Sequence, residues 1–395
     1  MRELFITGIA RSGTSLIGRM IDAHPQAAVA IDAFLPLVRA MRNSIVLARE
    51  PDFDPARPME DGYFAPGQRA RLAAIWRGSL DCPLAGTDLA TLRGAIGRRA
   101  ADESGDLVEA ASQVDGATLS GLFGDALRRI AAVRRVPADG VVGMKDLWAI
   151  DLLPALARTR PAARFVVVLR DPRDVVSSVL GYLSVDPDQV AHVLSVARHW
   201  RKLVATLHAW SGDALFDGRL LVIRYEDVVA DPAAFARDAA RLLDLSDDGS
   251  MLRADRFRDY NSGGTWRGNS TFDAALAGIS ARPRERWRET LAPAVVALVE
   301  LVCGPEMTDA GYTPSLPEDA HGARDDVLAF LVRDGRRACS WRSDSGDTLH
   351  DYGCELTRRA LLALPEDEAD AAMLEGAFLF ADYARTLRRH LARAA

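Results

Sequence analysis

The chain has 395 residues, 49% of them hydrophobic, and a formal net charge of -6. A chain of this length and composition can bury a large core, either as one α/β domain with insertions or as two domains. Its 49 basic and 55 acidic residues are spread along the whole sequence, so it lacks the domain-wide positive charge typical of nucleic-acid binding. We therefore expect no nucleic-acid partner, and any anion site must be local.

The positions of the cysteines and the lengths of the apolar segments exclude further classes of protein. The cysteines are far apart and form no CxxC pair, which predicts neither a zinc site nor a disulfide framework; they are Cys82, Cys303, Cys339 and Cys354. The first apolar run begins within a few residues of Met1, without a charged leader, and no apolar span approaches the length of about 20 residues that crosses a bilayer. We expect a soluble, cytoplasmic protein with no integral membrane segment.

The first predicted elements are a strand and a helix joined by a glycine loop. The run "ELFITGI" is apolar and rich in strand formers, and "TSLIGRMIDAH" has apolar residues at helical spacing. Gly8 and Gly13 have the G-x-x-x-x-G spacing of a phosphate-binding loop, and Thr14 and Ser15 follow at the helix N-terminus. A nucleotide kinase would have lysine at position 14, whereas here the cation is Arg11, inside the loop.

Three further apolar runs, "VVGMK", "RFVVVLRD" and "LLVIRYED", predict strands separated by helical stretches, as in a parallel sheet. The predicted fold class is therefore α/β, with a central parallel β-sheet flanked by helices. Amphipathic segments predict a helical insertion over about 50–137, within a domain over residues 1–314. After the Pro- and Gly-rich "GYTPSLPEDAHG", we expect a C-terminal helical extension over residues 315–395.

Two segments carry a family resemblance. The loop with Arg11-Ser12-Gly13-Thr14 resembles the 5′-phosphosulfate loop of sulfotransferases that use 3′-phosphoadenosine-5′-phosphosulfate (PAPS). The segment "RFVVVLRDPRDVVSSVLGY" resembles the 3′-phosphate segment of the same family, in which an arginine ends a strand and a serine follows eight residues later. Arg170 and Ser178 have this spacing. Arginine offers a planar fork to a phosphate dianion, and the serine adds a hydroxyl donor.

The resemblance covers about residues 3–47 and 140–313 and is closer to tyrosylprotein, carbohydrate and bacterial members than to cytosolic phenol and steroid sulfotransferases. It implies a P-loop-like fold, PAPS as sulfuryl donor and 3′-phosphoadenosine 5′-phosphate (PAP) as product. For Thr271 and Arg286, helix capping and a solvated side chain are the alternatives to a cofactor contact. The implied cofactor-binding residues are Arg11, Ser12, Gly13, Thr14, Ser15, Arg170, Ser178, Tyr225, Thr271 and Arg286.

Arg11 and Lys145 are the candidate catalytic cations, because sulfuryl transfer, like phosphoryl transfer, needs positive charge near the transferring group. Only Lys145 and Lys202 are lysines among the 49 basic residues, so a lysine at the end of a predicted strand suggests that a compact cation is needed there. Lys145 also matches the lysine of the "KDP" motif in tyrosylprotein sulfotransferases.

The candidate general base is Asp32. Cytosolic members use a histidine near the position of "KDLWAI", which contains none. The other branch has a glutamate after the first helix, and Asp32 is the matching position; its alternative role is to cap the helix that begins at "FLPLVRAM". Asp146 is the second candidate base, and the sequence does not decide between the two.

Three histidines fall in one predicted helix without a carboxylate at metal-binding spacing, so we predict no catalytic metal; they are His192, His199 and His208. Two other functions stay open. One is a P-loop kinase or NTPase with a displaced lysine, in which Asp171 holds magnesium, and the other is a non-catalytic nucleotide-binding relic. Arginine-for-lysine usage suggests a bacterial enzyme, so we expect a hydroxyl of a glycan, lipid or secondary metabolite as acceptor. The oligomeric state, a homodimer included, stays open.

Overall fold

The computed structural model describes residues 1–53, 68–183, 190–260, 264, 266, 268, 279–280, 284–316, 348–365, 368 and 371–394. The chain divides into two compact units. Unit 1 comprises Met1–Pro55, Ala73–Arg170 and Ala214–Arg284, and unit 2 comprises Ala56–Leu72, Asp171–Asp213 and Glu285–Ala395. The predicted boundary at residue 314 stays a prediction.

Unit 1 contains a parallel sheet of five strands in the order β2-β3-β1-β4-β5. The strands are β1 (Arg2–Gly8), β2 (Ala27–Ile31), β3 (Val141–Lys145), β4 (Arg164–Leu169) and β5 (Leu220–Arg224). The central strand β1 pairs with β3 on one side and with β4 on the other. The sheet and its flanking helices confirm the predicted fold class.

Strand β2 was not among the predicted strands. Its sequence, "AAVAI", contains three alanines, which are poor strand formers, and it is only five residues long. Pairing with β3 in the register Ile31 to Lys145 and burial of four of its five residues stabilise it. Tertiary packing therefore decides the conformation of this segment against its local preference.

Helices connect the strands and continue beyond them. Four of them, α3 to α6, follow β2 and precede β3, in the part of the sequence where a helical insertion is predicted. The helices are α1 (Thr14–Asp22), α2 (Leu35–Leu47), α3 (Gln68–Arg77), α4 (Leu89–Glu103), α5 (Val108–Ser112), α6 (Leu119–Val133), α7 (Leu153–Thr159), α8 (Pro172–Leu183), α9 (Val190–Trp210), α10 (Tyr225–Ala230), α11 (Pro232–Leu243), α12 (Trp287–Thr290), α13 (Pro293–Asp309), α14 (Thr348–Ala363), α15 (Ala371–Ala377) and α16 (Ala381–Ala394).

Apolar side chains of unit 1 pack on the central strands. Leu4 and Ile6 belong to one buried cluster with Ile17 and Met20 of α1. Phe5 points to the opposite face, where its ring centroid lies 5.1 Å from that of Phe123 on α6. Both faces of β1 are thus buried, as its continuous apolar sequence indicates.

Helices make up most of what the structure describes of unit 2. The longest, α9, packs against α13 and also contacts α8. Among the described residues, none of the helices combines the length and the apolar composition needed to cross a membrane.

The carboxyl ends of the five parallel strands lie along one edge of the sheet. Asp32, Asp146, Arg170 and Tyr225 each follow the last residue of a strand, and the glycine loop follows β1. The chain leaves β1 toward one side of the sheet and leaves β4 toward the other, so the direction of winding reverses between these neighbours. In open α/β sheets such a reversal is the usual place for a ligand.

Candidate active site

The loop after β1 forms a cradle for an anion. Ser12 closes it, since both its N–H (3.2 Å) and its Oγ (2.8 Å) donate to the carbonyl of Ile9. Arg11 and Gly13 have left-handed backbones, with φ of 68° and 93°. A Cβ added at Gly13 would lie 2.2 Å from Cδ2 of Tyr225, so no larger residue fits here without a shift of the ring.

Helix α1 starts directly after this cradle. Gly13 is its N-cap and provides no side-chain hydrogen bond, and Thr14 and Ser15 are the first helical residues. The first N–H groups of a helix have no acceptor within it, and they carry the positive end of the helix dipole. The predicted loop residues therefore form a geometry that suits a phosphate or sulfate group.

Arg170 is joined to the cradle. Its Nη1 donates to the carbonyl of Arg11 at 2.9 Å, and its guanidinium carbon lies 4.8 Å from the centroid of the Tyr225 ring. Tyr225 is 2% exposed and contacts the position of Gly13 from the same side. The structure thus brings Arg11, Gly13, Arg170 and Tyr225 together in unit 1.

Lys145 and Asp32 form a second group at the same sheet edge. Nζ of Lys145 donates to Oδ2 of Asp32 at 2.5 Å, and their side chains are 3% and 10% exposed. The N–H of Asp32 donates to the carbonyl of Lys145 at 2.8 Å, which extends the pairing of β2 and β3 by one residue. Asp32 does not cap α2, since the N-cap is Phe34 without a side-chain hydrogen bond.

Asp146 lies beside this pair but is enclosed differently. It is 2% exposed, and neither carboxylate oxygen has a hydrogen-bond partner in the part of the chain that the structure describes. Burial raises the pKa of Asp146 well above its ordinary value, and the nearby Asp32 carboxylate raises it further, while Lys145 opposes the shift. The two candidate bases are thus neighbours in contrasting surroundings.

Two residues of α4 belong to this group and were missed by the sequence analysis. Arg99 donates from Nε to the carbonyl of Asp32 at 3.3 Å, and its Nη2 lies 2.9 Å from Oε1 of Glu103. Burial raises the pKa of Glu103; Arg99 opposes this, and Asp32 adds to it. An Arg–Glu pair four residues apart is common on solvated helices, so its sequence carries no signal that it reaches the site.

The remaining predicted cofactor residues lie elsewhere in the chain. Ser178 is on α8 and Arg286 is the N-cap of α12, both in unit 2, so their roles beside Arg170 stay predictions. Thr271 lies outside the described residues. Ser178 is half-buried, whereas Tyr225, Ser12 and Thr14 of unit 1 are buried.

The kinase hypothesis assigns Asp171 to magnesium, but in the structure its carboxylate is bonded to an arginine. Its carboxylate accepts from the N–H, Nε and Nη2 of Arg173 at 2.9, 3.0 and 2.6 Å. The guanidinium of Arg173 therefore bonds to the carboxylate oxygens that a magnesium ion would need. In the described part of the chain, no group of three or more His, Cys, Asp or Glu side chains is arranged to hold a metal ion.

His199 and His208 of α9, whose side chains the structure describes, take part in no such group. The His208 ring lies 4.4 Å from that of Tyr383, centroid to centroid, within unit 2. His199 is half-buried, and the side chain of His192 lies outside the described residues.

Comparison with solved structures finds sulfotransferases at low identity. The sulfotransferase domain from the curacin biosynthetic pathway is 13% identical, over 80% of this chain and 98% of its own, with a TM-score of 0.44. A sulfotransferase from Alicyclobacillus acidocaldarius is 15% identical, over 87% of this chain and 99% of its own, with a TM-score of 0.37. Retinol dehydratase in complex with androsterone and inactive cofactor PAP is 16% identical, over 81% and 84%, with a TM-score of 0.34.

The sequence profile of the Sulfotransferase family matches residues 3–249, which is more than half of the chain and includes the cradle, Asp32, Lys145 and Arg170. A comparison with curated proteins finds no match. On the family match, this chain belongs to the PAPS-dependent sulfotransferases.

Proposed function

We propose that the enzyme transfers the sulfuryl group of PAPS to a hydroxyl group of a glycan, lipid or secondary-metabolite acceptor. The observation that carries the proposal is the Lys145–Asp32 pair at the carboxyl ends of β3 and β2, the edge of the sheet from which the glycine loop also starts. A carboxylate and a cation in contact are the two groups that hydroxyl activation and leaving-group stabilisation require.

The cradle suits the donor. Gly13 leaves no room for a Cβ, the N-terminus of α1 has no side-chain cap, and Arg170 is fixed to the loop through the carbonyl of Arg11. These features fit an anionic phosphosulfate and a nucleotide phosphate. When bound there, PAPS supplies an activated sulfuryl group. The proposed cofactor-binding residues are the ten implied by the resemblance: Arg11, Ser12, Gly13, Thr14, Ser15, Arg170, Ser178, Tyr225, Thr271 and Arg286.

In the proposed reaction, Asp32 accepts the proton of the acceptor hydroxyl while the acceptor oxygen forms a bond to sulfur. The bond between sulfur and the phosphate oxygen breaks in line, and PAP leaves with the electron pair. Protonation neutralises Asp32 and weakens its hold on Lys145. The ammonium group is then available to the negative charge that develops on the leaving phosphate, together with Arg11.

Asp32 is preferred over Asp146 as the base for two reasons. Asp32 is 7% exposed and Asp146 is 2% exposed, so a hydroxyl reaches Asp32 more readily. Lys145 holds Oδ2 of Asp32, whereas Oδ1 is buried and has no hydrogen-bond partner among the described residues, so we assign this oxygen to the acceptor hydroxyl. The proposed reaction needs no metal, because the site supplies its own cations.

The acceptor class rests on composition alone, through the arginine-for-lysine usage that suggests a bacterial cytoplasmic enzyme. It is tested by a screen with radiolabelled PAPS against pools of glycans, lipid extracts and phenolic or polyketide-like alcohols, with and without EDTA. We expect label in at least one pool, unaffected by EDTA.

The roles of the pair are tested with the same assay. Asp32→Asn should lower the transfer rate by about 10²- to 10⁴-fold, since a general base contributes that much. Lys145→Met should lower it by roughly 10²- to 10³-fold, as for loss of one stabilising donor. Asp146→Asn is the matched control and should keep activity. Loss of activity in Asp146→Asn with activity retained in Asp32→Asn would reverse the assignment of the base.

A further inference from the structure

The backbone of Asp32 is unusual. Its φ is 52°, in the left-handed region that residues other than glycine seldom adopt, although aspartate tolerates it better than most. Such a conformation persists only where the surroundings hold it in place, and these positions cluster at functional sites. The contacts that hold Asp32 therefore bear on how the site works.

Helix α4 supplies part of this restraint. Nε of Arg99 donates to the carbonyl of Asp32 at 3.3 Å, and Oγ of Ser104, the C-cap of the helix, donates to the carbonyl of Ile31 at 3.3 Å. Two further contacts are between main-chain groups: the Asp32 N–H donates to the Lys145 carbonyl of β3 at 2.8 Å, and the Asp32 carbonyl also accepts from the N–H of Leu35 at 3.4 Å. Both peptide groups that flank Asp32 are thus bonded, and the carboxylate between them is directed to Nζ of Lys145.

Arg99 is itself oriented. Its Nη2 lies 2.9 Å from Oε1 of Glu103, one turn further along α4, and both side chains are 32% exposed. A charge-assisted bond to Glu103 leaves Nε aimed at the carbonyl of Asp32. Asp32 is in turn among the charges that act on Glu103, which agrees with the closeness of these groups.

We propose that Arg99 is a positioning residue for sulfuryl transfer, which holds the main chain of Asp32 in its left-handed conformation so that the carboxylate meets Lys145. The inference rests on the proposed role of Asp32 as general base. Helix α4, which lies between β2 and β3 in the sequence, then contributes to catalysis by positioning Asp32, in addition to any contact with the acceptor.

The kinetic consequence follows from geometry. Arg99→Met keeps most of the apolar stem but removes the side-chain donor to the Asp32 carbonyl, so the main chain of Asp32 is less restrained. A displacement of about 1 Å costs about 10²-fold in rate. We expect kcat to fall by about 10- to 100-fold, with KM for PAPS and the dissociation constant of PAP changed less than about 2-fold. Arg99→Lys should recover part of the loss. Arg98→Met, at the exposed neighbouring position on α4, is the matched control and should behave as wild type.

A measurement independent of the acceptor uses the scarcity of lysine. Because Lys145 and Lys202 are the only lysines, isotope-labelled lysine gives two side-chain signals in an NMR spectrum of the full chain, and Lys145→Arg assigns them. Asp32→Asn should shift the Lys145 signal, because it removes the carboxylate from Nζ. Arg99→Met should shift it in the same direction, and Arg98→Met should leave it in place.

The outcomes separate the two proposals. A Lys145 signal that moves in Asp32→Asn but stays at its wild-type position in Arg99→Met, with kcat unchanged, would overturn the role of Arg99. A signal that stays in place in Asp32→Asn as well would show that the Lys145–Asp32 pair itself is wrong, and with it the proposed base. Thermal unfolding of each variant, together with PAP binding, distinguishes local displacement of Asp32 from loss of the fold.

Discussion

At the scale of single residues, Asp32 and Asp146 show how surroundings separate two identical side chains. They follow adjacent parallel strands, yet Asp32 is paired with Lys145, whereas the carboxylate of Asp146 has no hydrogen-bond partner among the described residues. An unpaired buried carboxylate is costly when ionised, so Asp146 favours its neutral form. The site therefore places an ion pair beside a carboxyl group whose surroundings favour its neutral form.

Asp146 should make stability depend on pH. Its pKa in the folded protein is raised well above the ordinary value of 3.8, so the folded state binds more protons than the unfolded state, and stability falls as pH rises above about 4. Asp146→Asn removes this term. Urea unfolding at pH 4 and pH 8 should show that the variant gains stability relative to wild type at the higher pH. An equal difference at both pH values would contradict the raised pKa.

Gly13 tests the cradle at the same scale. Gly13→Ala places a Cβ 2.2 Å from the Tyr225 ring at a φ of 93°, so either the ring or the loop must move. We expect PAP binding, measured by calorimetry, to weaken by at least about 10-fold, as loss of one charge-assisted hydrogen bond would. Gly249→Ala is the control: its φ of 74° brings a similar backbone cost, but apart from its chain neighbours no atom of the described residues lies within 4 Å of the added Cβ. Equal binding by the two variants would refute a close-packed cradle.

The site residues differ in how well the sequence alone predicts them. The loop and Arg170 belong to motifs of fixed spacing and were predicted. Asp32 and Lys145 were predicted as catalytic candidates, but their contact with each other was not. Arg99 was not, because 67 residues separate it from the carbonyl it bonds and only the folded chain brings them together. Its partner Glu103 has the spacing of an ordinary surface ion pair.

At the scale of elements, the strands also differ in how well the sequence predicts them. Strands β1, β3, β4 and β5 are apolar runs with several β-branched residues, and the sequence predicted each of them. Strand β2 is alanine-rich, and its conformation depends on pairing with β3, so no local pattern reveals it. It nevertheless positions the candidate base.

Within unit 2, helix α14 is joined to α9 by buried ion pairs. Glu355 accepts from Nε of Arg198 at 2.8 Å and also pairs with Arg201, while Arg198 pairs with Asp351 at 3.2 Å. Burial alone would raise the pKa of Glu355, but the two arginines outweigh it and lower the pKa to about 2. The carboxylate therefore stabilises the folded state in its ionised form.

Glu355→Gln should destabilise the protein by about 3–5 kcal/mol at pH 7, since it removes the negative charge that two buried arginines share. In wild type, the unfolded state binds a proton near pH 4.5 and the folded state only near pH 2, so this contribution is complete above about pH 4.5 and falls toward pH 2. The variant should lack that part of the pH dependence. Asp382→Asn, in an exposed pair with Arg385, is the control and should cost at most about 1 kcal/mol. Similar losses in both variants would contradict the buried network.

At the scale of the whole molecule, the family match spans residues 3–249 and thus parts of both units. The cradle, Asp32, Lys145, Arg99 and Arg170 all lie in unit 1, whereas Ser178 and Arg286 lie in unit 2. The net charge of -6 repels an anionic nucleotide at long range, so binding has to come from the local cations of the cradle. Arg170 is the residue that joins the strand edge to that cradle.

The most direct test of the account is a calorimetric titration of the full chain with PAP, compared with ATP and magnesium. We expect magnesium-independent binding of PAP in preference to ATP, weakened by about 10- to 100-fold in Arg170→Ala, because a hydrogen-bonded charge contributes about 1.5–3 kcal/mol. Arg164→Ala, at the opposite end of the same strand, should bind as wild type. Preference for ATP with magnesium, or equal binding of PAP by wild type and Arg170→Ala, would contradict the account.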